Sequence, residues 1–297
     1  MRLADHPAAE RVEIKLGSRM AACNPSIVMD GDRVRAVVRT VNYRLLPTGS
    51  IWIKGSAPDT VNWLVNLDAD TLERQEAIQI DDVVVRSAPM AENGLEDMRL
   101  FAWRGSWWGL ASGHCSRNDA NTMILAPVSP VMNQKVVLLS PTGEKKEKNW
   151  VIAVVGSELF LIHWLSPMSV YKYVGSQMLE PVFMGDAKAE LMGWSGSSQA
   201  VPYGGKLLAC IHRRMGEKCG RDPITYVHRL VEIDPDTWEI GRISPIFVFE
   251  GDQVEFNSGL SVTSESVLFS YGVQDCAAVV LRLPIGAVDG IFEGQLA

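Results

Sequence analysis

Five segments of the chain repeat one layout: a polar cluster, a few apolar residues, a turn built on Gly, Asp or Ser, and a second apolar run. They read NPSIVMDGDRVRAVVR from Asn24, EDMRLFAWRGSWWGLAS from Glu96, EKNWVIAVVGSELFLIHW from Glu147, GSSQAVPYGGKLLACIHR from Gly196 and VEFNSGLSVTSESVLFSYG from Val254. Each predicts a β-hairpin. Their spacing, roughly 50 to 70 residues, is near that of a propeller blade, and further strands such as VHRLVEIDPDTWEIGRISPIF bring each unit to about four strands. The pattern predicts an all-β, five-bladed β-propeller. The rival, a β-sandwich with a small appendage, gives no reason for similar hairpins along the whole chain.

The reading takes residues 1–297 as one propeller domain, with 1–20 as a lead-in segment whose strand closes the ring. The long first interval holds IWIKGS and VNWLVNLD, read as an extra strand pair in an elaborated first blade. LDADTL and IDPDTW are read as Asx turns between strands. Residues 72–80 could make a short helical turn before the Val-rich run at Val83, and convincing helices are otherwise nearly absent.

Charge and motifs narrow the function. A formal net charge of −7 argues against nucleic acid, whose phosphates recruit clustered Lys and Arg. No run approaches the roughly 20 apolar residues that span a bilayer, and the first residues lack a leader-like apolar segment. The five cysteines (Cys23, Cys115, Cys210, Cys219, Cys276) form no CxxC pair, so a reducing cytoplasm with free, mostly buried thiols is expected, and no metal site. GxGxxG, Walker and GxSxG motifs are absent, and no cofactor is expected.

In a propeller the innermost strand of each blade lines the axial channel, so the polar clusters that open the repeats should converge on one funnel. They are Asn24 and Ser26; Glu96, Asp97 and Arg99; Lys148 and Asn149; Ser197, Ser198 and Gln199; Glu255 and Asn257. A sheet has no need of carboxylates, a lysine and amides at five equivalent inward positions, whereas a polar ligand does. The bland alternative is that some merely cap strands at a solvated rim. Alternation allows only one of Glu96 and Asp97 to face the ligand, and puts Arg99 on the face of Asp97. The later runs add Arg39, His212 and Tyr271, and then His228 and Arg229; HRR sets Arg213 and Arg214 beside His212. The EKKEK run from Glu144 reads mostly as a solvated turn.

At these residues the chain resembles the five-bladed propellers of glycoside hydrolase family 130 and its relatives, the β-mannoside phosphorylases, β-mannosidases and related mannosyltransferases. The anchors, in order, are NPSI with VRTVNY, EDMR, KNW, LLACIHRR, VEFNSGL and YGVQD. The resemblance implies Asp97 as proton donor with Arg99 nearby, His212 on the substrate side and Asp275 as a sugar contact. It also implies sugar contacts near Asn24, Arg39 and Lys148, with Asn42 in the VRTVNY anchor. Met98 replaces the usual Pro, and the arginine pair that holds phosphate has no located counterpart, Arg104 and Arg117 being candidates.

The expected activity is glycosidic-bond chemistry with inversion on a sugar or oligosaccharide. Asp97 is the general acid, and in hydrolysis Glu255 activates water across about 6.5–9.5 Å. Phosphorolysis would instead need cations around phosphate or a sugar phosphate. Two alternatives stand beside it: an inverting glycosyltransferase using a nucleotide sugar, and a non-catalytic carbohydrate-binding propeller.

Overall fold

A computed structural model describes residues 1–46, 50–86, 91–115, 117–216, 224–251 and 254–295. Cys219 lies outside them. The fold is a five-bladed β-propeller, each blade an antiparallel sheet. From inside out, the first blade runs Ala21–Asp30, Arg33–Val41, Thr60–Asp68 and Arg74–Gln79. The second runs Leu95–Trp103, Ser106–Cys115, Ala120–Pro127 and Val136–Val137, and the third Val151–Val155, Glu158–Leu165, Met168–Gly175 and Met178–Met184. In the fourth the inner strand is split into Ser195–Gly196 and Val201–Tyr203, both paired with Lys206–Met215, ahead of Thr225–Ile233 and Ile240–Ile243. The fifth comprises Glu255–Val262, Ser266–Val273 and Ala277–Pro284, and its outermost strand is the lead-in Glu10–Glu13, paired with Ala277–Pro284. Glu10–Glu13 and the strands of the fifth blade thus share one sheet.

The apolar pattern explains the stacking. Successive strand residues point to opposite faces, and here both faces meet a neighbouring sheet. Leu100 packs with Val37 and Leu64 toward the first blade, whereas Phe101 packs with Ile152 and Leu161 toward the third. Ala111 and Leu110, then Ile124 and Leu125, divide in the same way. Five such clusters fill the five interfaces between blades. Fully burying one of these aliphatic side chains contributes about 1.5–3 kcal/mol, so the ring is held by apolar contact rather than by edge pairing.

Near the axis the inner strands are joined by polar groups. Gln199 donates from Nε2 to the carbonyls of Ile27 (2.8 Å) and Leu260 (2.9 Å), linking the fourth, first and fifth blades. Ser26 Oγ accepts the Leu100 N–H at 2.9 Å, and Ser258 Oγ donates to Pro25 O at 2.8 Å. Gly259 is required here, because a Cβ would strike the backbone of Ser26 and Ile27.

Several local expectations change. IWIKGS does not pair with VNWLVNLD: Ile51–Ile53 pairs with Tyr43–Leu45 in an inserted hairpin, and Thr60–Asp68 is the regular third strand. Residues 72–80 end in the strand Arg74–Gln79, and the helical turn is instead Val83–Arg86. The outer strand needed a partner for Thr60–Asp68, which overrode local propensity. A second helix, Ala287–Glu293, buries Val288 and Ile291 against the fifth blade. Glu147, which opens the third repeat, is buried, accepting from Trp150 Nε1 at 2.9 Å and contacting His163 Nε2 at 3.0 Å.

The two Asx turns form as read. Asp68 Oδ1 accepts from the N–H groups of Asp70 and Thr71, and Asp234 Oδ1 from those of Asp236 and Thr237. Cys23, Cys115 and Cys210 are buried free thiols, and Cys276 is exposed.

Candidate active site

Asp97 sits in a break in the innermost strand of its blade. The register slips between Glu96 and Arg99, and Asp97 takes φ +48°. A bulge of this kind interrupts alternation, so Glu96 and Asp97 both face the axial cavity, against the expectation that only one could. The device recurs: Asn24, at φ +44°, lies in the slip between Cys23 and Ser26, and Asn149, at φ +61°, lies just before its strand. Asn, Asp and Gly tolerate this conformation best, so backbone strain and polar side chains are spent at the same three blade openings.

These breaks aim side chains into a cavity of about 390 Å³. Of the residues singled out in the sequence, Asn24, Arg39, Glu96, Asp97, Arg99, Lys148, Asn149, His212 and Asp275 line it. Asn24 Nδ2 and Arg39 Nη1 each donate to Asp97 Oδ1 at 2.8 Å. Among the described residues, no hydrogen bond reaches Oδ2. Arg39 also donates to Tyr43 Oη (3.0 Å) and Thr60 Oγ1 (3.3 Å), and stands 3.6 Å from Glu96. Gly272, of the Tyr-Gly pair, leaves room for Asn24; a Cβ there would overlap the Asn24 amide.

Arg99, 1% exposed, ties three blades together. It donates to the Asp97 carbonyl, to Ser197 O at 2.8 Å and to Asn149 Oδ1 at 3.2 Å, and its guanidinium lies 5.3 Å from the Phe256 ring centroid.

The electrostatics separate the two aspartates. Burial pushes the Asp97 carboxyl up, but the Arg39 and Arg99 charges and the hydrogen bonds outweigh it, and the net direction is down. Asp275, at φ +51°, moves the other way: burial raises it, Arg39 offsets only part, and Asp97 and Glu96 add repulsion. The two carboxyls are therefore pushed in opposite directions, Asp97 toward its anionic form and Asp275 toward a higher affinity for a proton. Lys148 and Arg214 bring further positive charge, and neither pairs with a carboxylate among the described residues.

His212 is held by Ser197, whose Oγ lies 2.7 Å from Nδ1, and is packed edge-on by Phe256. Burial, then the positive Arg99 and Lys148, lower its pKa to about 3, so the ring is neutral at pH 7. His228, enclosed by Phe247 and Phe249, is also lowered well below its ordinary value, chiefly by burial. Because the unfolded chain takes up these protons near pH 6.5 and the folded protein does not, stability is greatest above that pH and falls as the pH drops toward the folded values. At pH 5 His212 alone should cost about 2 kcal/mol relative to pH 7. Thermal unfolding of the wild type should fall from pH 7 to pH 5, and His228→Phe should show a smaller fall; equal slopes would remove His228 from this account.

Other residues singled out in the sequence, Ser197, Ser198 and Asn257 among them, do not line the cavity. Glu255 is fully buried and accepts the N–H groups of Phe249 and Glu250 at 2.8 Å each, so it braces a loop and cannot serve as the water-activating base. Its neighbour Phe256 faces the cavity instead, a one-residue error of parity. Tyr271 is buried against Phe249 and donates to Glu250 Oε1 at 2.7 Å. Ser26 and Gln199 join blades, as described above. His228 lies in the apolar core, Arg229 lies over the Trp194 ring, and Asn42 pins the inserted hairpin through Lys54 O, Ala57 O and the Asp59 N–H. Arg104 and Arg117 are not among the lining residues either.

The sequence reading passed over Ser112, Ser195, Arg214, Tyr226 and Phe256 as cavity residues. Arg214 was within reach of it: two residues after His212 on one strand, it shares that face and is paired in register with Tyr226.

No sequence-family profile matches the chain, and no curated protein matches it by sequence. Solved structures do. A β-1,2-mannobiose phosphorylase from Listeria innocua, in complex with β-1,2-mannobiose, superposes with TM-score 0.63 at 11% identity, covering 98% of this chain and 95% of the other. A structure of the glycoside hydrolase family 130 mannoside phosphorylases, described as containing hydrolases that target β-1,2 mannosidic linkages in Candida mannan, gives TM-score 0.63 at 9% identity over 88% and 84%. The RS223 β-xylosidase gives 0.60 at 11% over 93% and 94%. At these identities the likeness is one of fold.

Proposed function

We propose that the protein is an inverting glycoside phosphorylase that cleaves a β-linked mannoside with inorganic phosphate. The observation that carries this reading is the makeup of the cavity: Lys148 and Arg214 stand in it with no carboxylate partner among the described residues, beside Arg39, Arg99 and the acid Asp97. Glu255, the carboxylate expected to activate water, is enclosed elsewhere, and of the other carboxylates in the cavity Glu96 stands 3.6 Å from Arg39. Phosphate needs no such base, being already an anion, but it needs cations. The propeller likeness to a β-1,2-mannobiose phosphorylase supports the substrate class.

In this mechanism a glycoside occupies the cavity with its leaving oxygen toward Asp97 Oδ2. Phosphate seated against the cations offsets the charge that holds Asp97 ionised, and the sugar displaces water; both changes raise the affinity of Asp97 for a proton. A phosphate oxygen forms a bond to the anomeric carbon from the face opposite the leaving group while the glycosidic C–O bond breaks. Asp97 gives its proton to the departing oxygen. The proton carried by hydrogen phosphate then restores Asp97, so a β-glycoside yields an α-sugar 1-phosphate and a free sugar. Asp275 binds sugar hydroxyls, and neutral His212 adds a contact without charge.

The test is incubation of the purified protein with β-1,2-mannobiose with and without phosphate, with the products read by proton and phosphorus NMR. The expected result is α-mannose 1-phosphate, formed only with phosphate. Equal cleavage without phosphate would overturn phosphorolysis and assign the base to Glu96, the carboxylate held loosely by Arg39. No cleavage of any β-mannoside would leave a binding propeller.

A further inference from the structure

A second cavity, of about 1040 Å³, adjoins the first, and Leu45 borders both. One wall is the hairpin inserted in the first blade. Arg44 and Trp52 are directly opposed across its two strands, which puts both side chains on one face. Trp52 is 54% exposed, an unusual state for an indole with no core to fill. Arg19 and Lys54 bring two more cations to the same cavity, and no Asp or Glu lines it. The nearby Asp59 is already paired with Arg86 at 2.9 Å. Among the described residues, none of the three cations is paired with a carboxylate. This concentration runs against a chain whose net charge is −7.

An open aromatic face flanked by guanidinium and ammonium groups suits one chemistry: a sugar ring bearing an oxyanion. The ring's C–H face stacks on indole, and a planar guanidinium takes a carboxylate, sulfate or phosphate ester in two parallel hydrogen bonds. We propose that this cavity binds an anionic sugar residue, and, resting on the glycoside reading above, that this residue belongs to the glycan whose bond is cleaved next door. The first clause stands without the second.

Calorimetric titration of the full-length wild type with mannose, mannuronate, mannose 6-phosphate and inorganic phosphate tests it. The two charged sugars should bind at least about tenfold tighter than mannose, with affinity falling as salt rises. Arg44→Gln and Trp52→Ala, both at exposed positions, should each weaken the charged sugars about tenfold, whereas Lys148→Gln in the first cavity should not. Equal affinity for mannose and its charged forms overturns the proposal. So does loss in Lys148→Gln with retention in Arg44→Gln, which would place the anion in the first cavity, and so does inorganic phosphate binding as tightly as the sugar phosphate at Arg44. Turnover enters none of these measurements, so a protein without phosphorolytic activity would overturn the preceding section and leave this one standing.

Discussion

Asp97→Asn should reduce kcat on a β-mannoside by about 10²–10⁴-fold, the range for losing a general acid, while leaving the far-ultraviolet circular dichroism unchanged. The amide retains an oxygen for Asn24 and Arg39, which donate to Asp97 Oδ1 at 2.8 Å, so the local geometry survives the loss of the proton. Asp275→Asn should act differently. It removes the carboxyl that burial and two neighbouring carboxylates raise, and with it the sugar contact proposed for Asp275, so KM should rise more than kcat falls. An activated aryl glycoside, whose leaving group needs little protonation, should recover much of the Asp97→Asn loss and little of the Asp275→Asn loss. If Asp97→Asn retains turnover within tenfold of wild type, the acid lies elsewhere, and Asp275 becomes its first candidate.

How far the sequence could lead is visible at particular residues. The repeat was legible because five interfaces between sheets need apolar residues on both strand faces, and that requirement writes itself into hairpins such as LFAWRGSWWGLA. The openings of the repeats were legible as polar clusters too. Alternation could not say which member of a cluster faces the cavity, because bulges reset it: Glu96 and Asp97 both turn inward at a slip in register, whereas Glu255 turns into its blade and Phe256 into the cavity. The polar residues at the axis divided on another ground. Ser26 lies on an inner strand and Gln199 in the break of another, but both are consumed by backbone groups of neighbouring blades, a long-range fact that no local pattern carries. The second cavity was illegible for a simpler reason. The inserted hairpin breaks the repeat, and its strand IWI was assigned to the wrong partner.

Arg99→Met should be the most damaging single change to stability outside the apolar cores. Its guanidinium bridges the Asp97 carbonyl in the second blade, the Ser197 carbonyl in the fourth and the Asn149 side chain ahead of the third. A methionine of similar length fills space beside Phe256 but donates nothing, so three acceptors lose a donor in a site where burial is nearly complete. It also removes one of two positive charges that hold Asp97 ionised against burial. Removing one member of a buried charged network costs about 3–5 kcal/mol, which at the scale of a chain this long lowers Tm on the order of 10 °C. Arg99→Lys should recover part of this, since an ammonium keeps the charge but cannot reach three acceptors in a fixed fork. The pH dependence supplies a further check. A carboxyl lowered in the folded state stabilises above its unfolded pKa and loses that contribution as pH falls, so the variant should lose less stability than wild type on acidification below pH 4. A Tm within about 2 °C of wild type would mean that water replaces the guanidinium without cost, and that the blades are registered by their apolar interfaces alone.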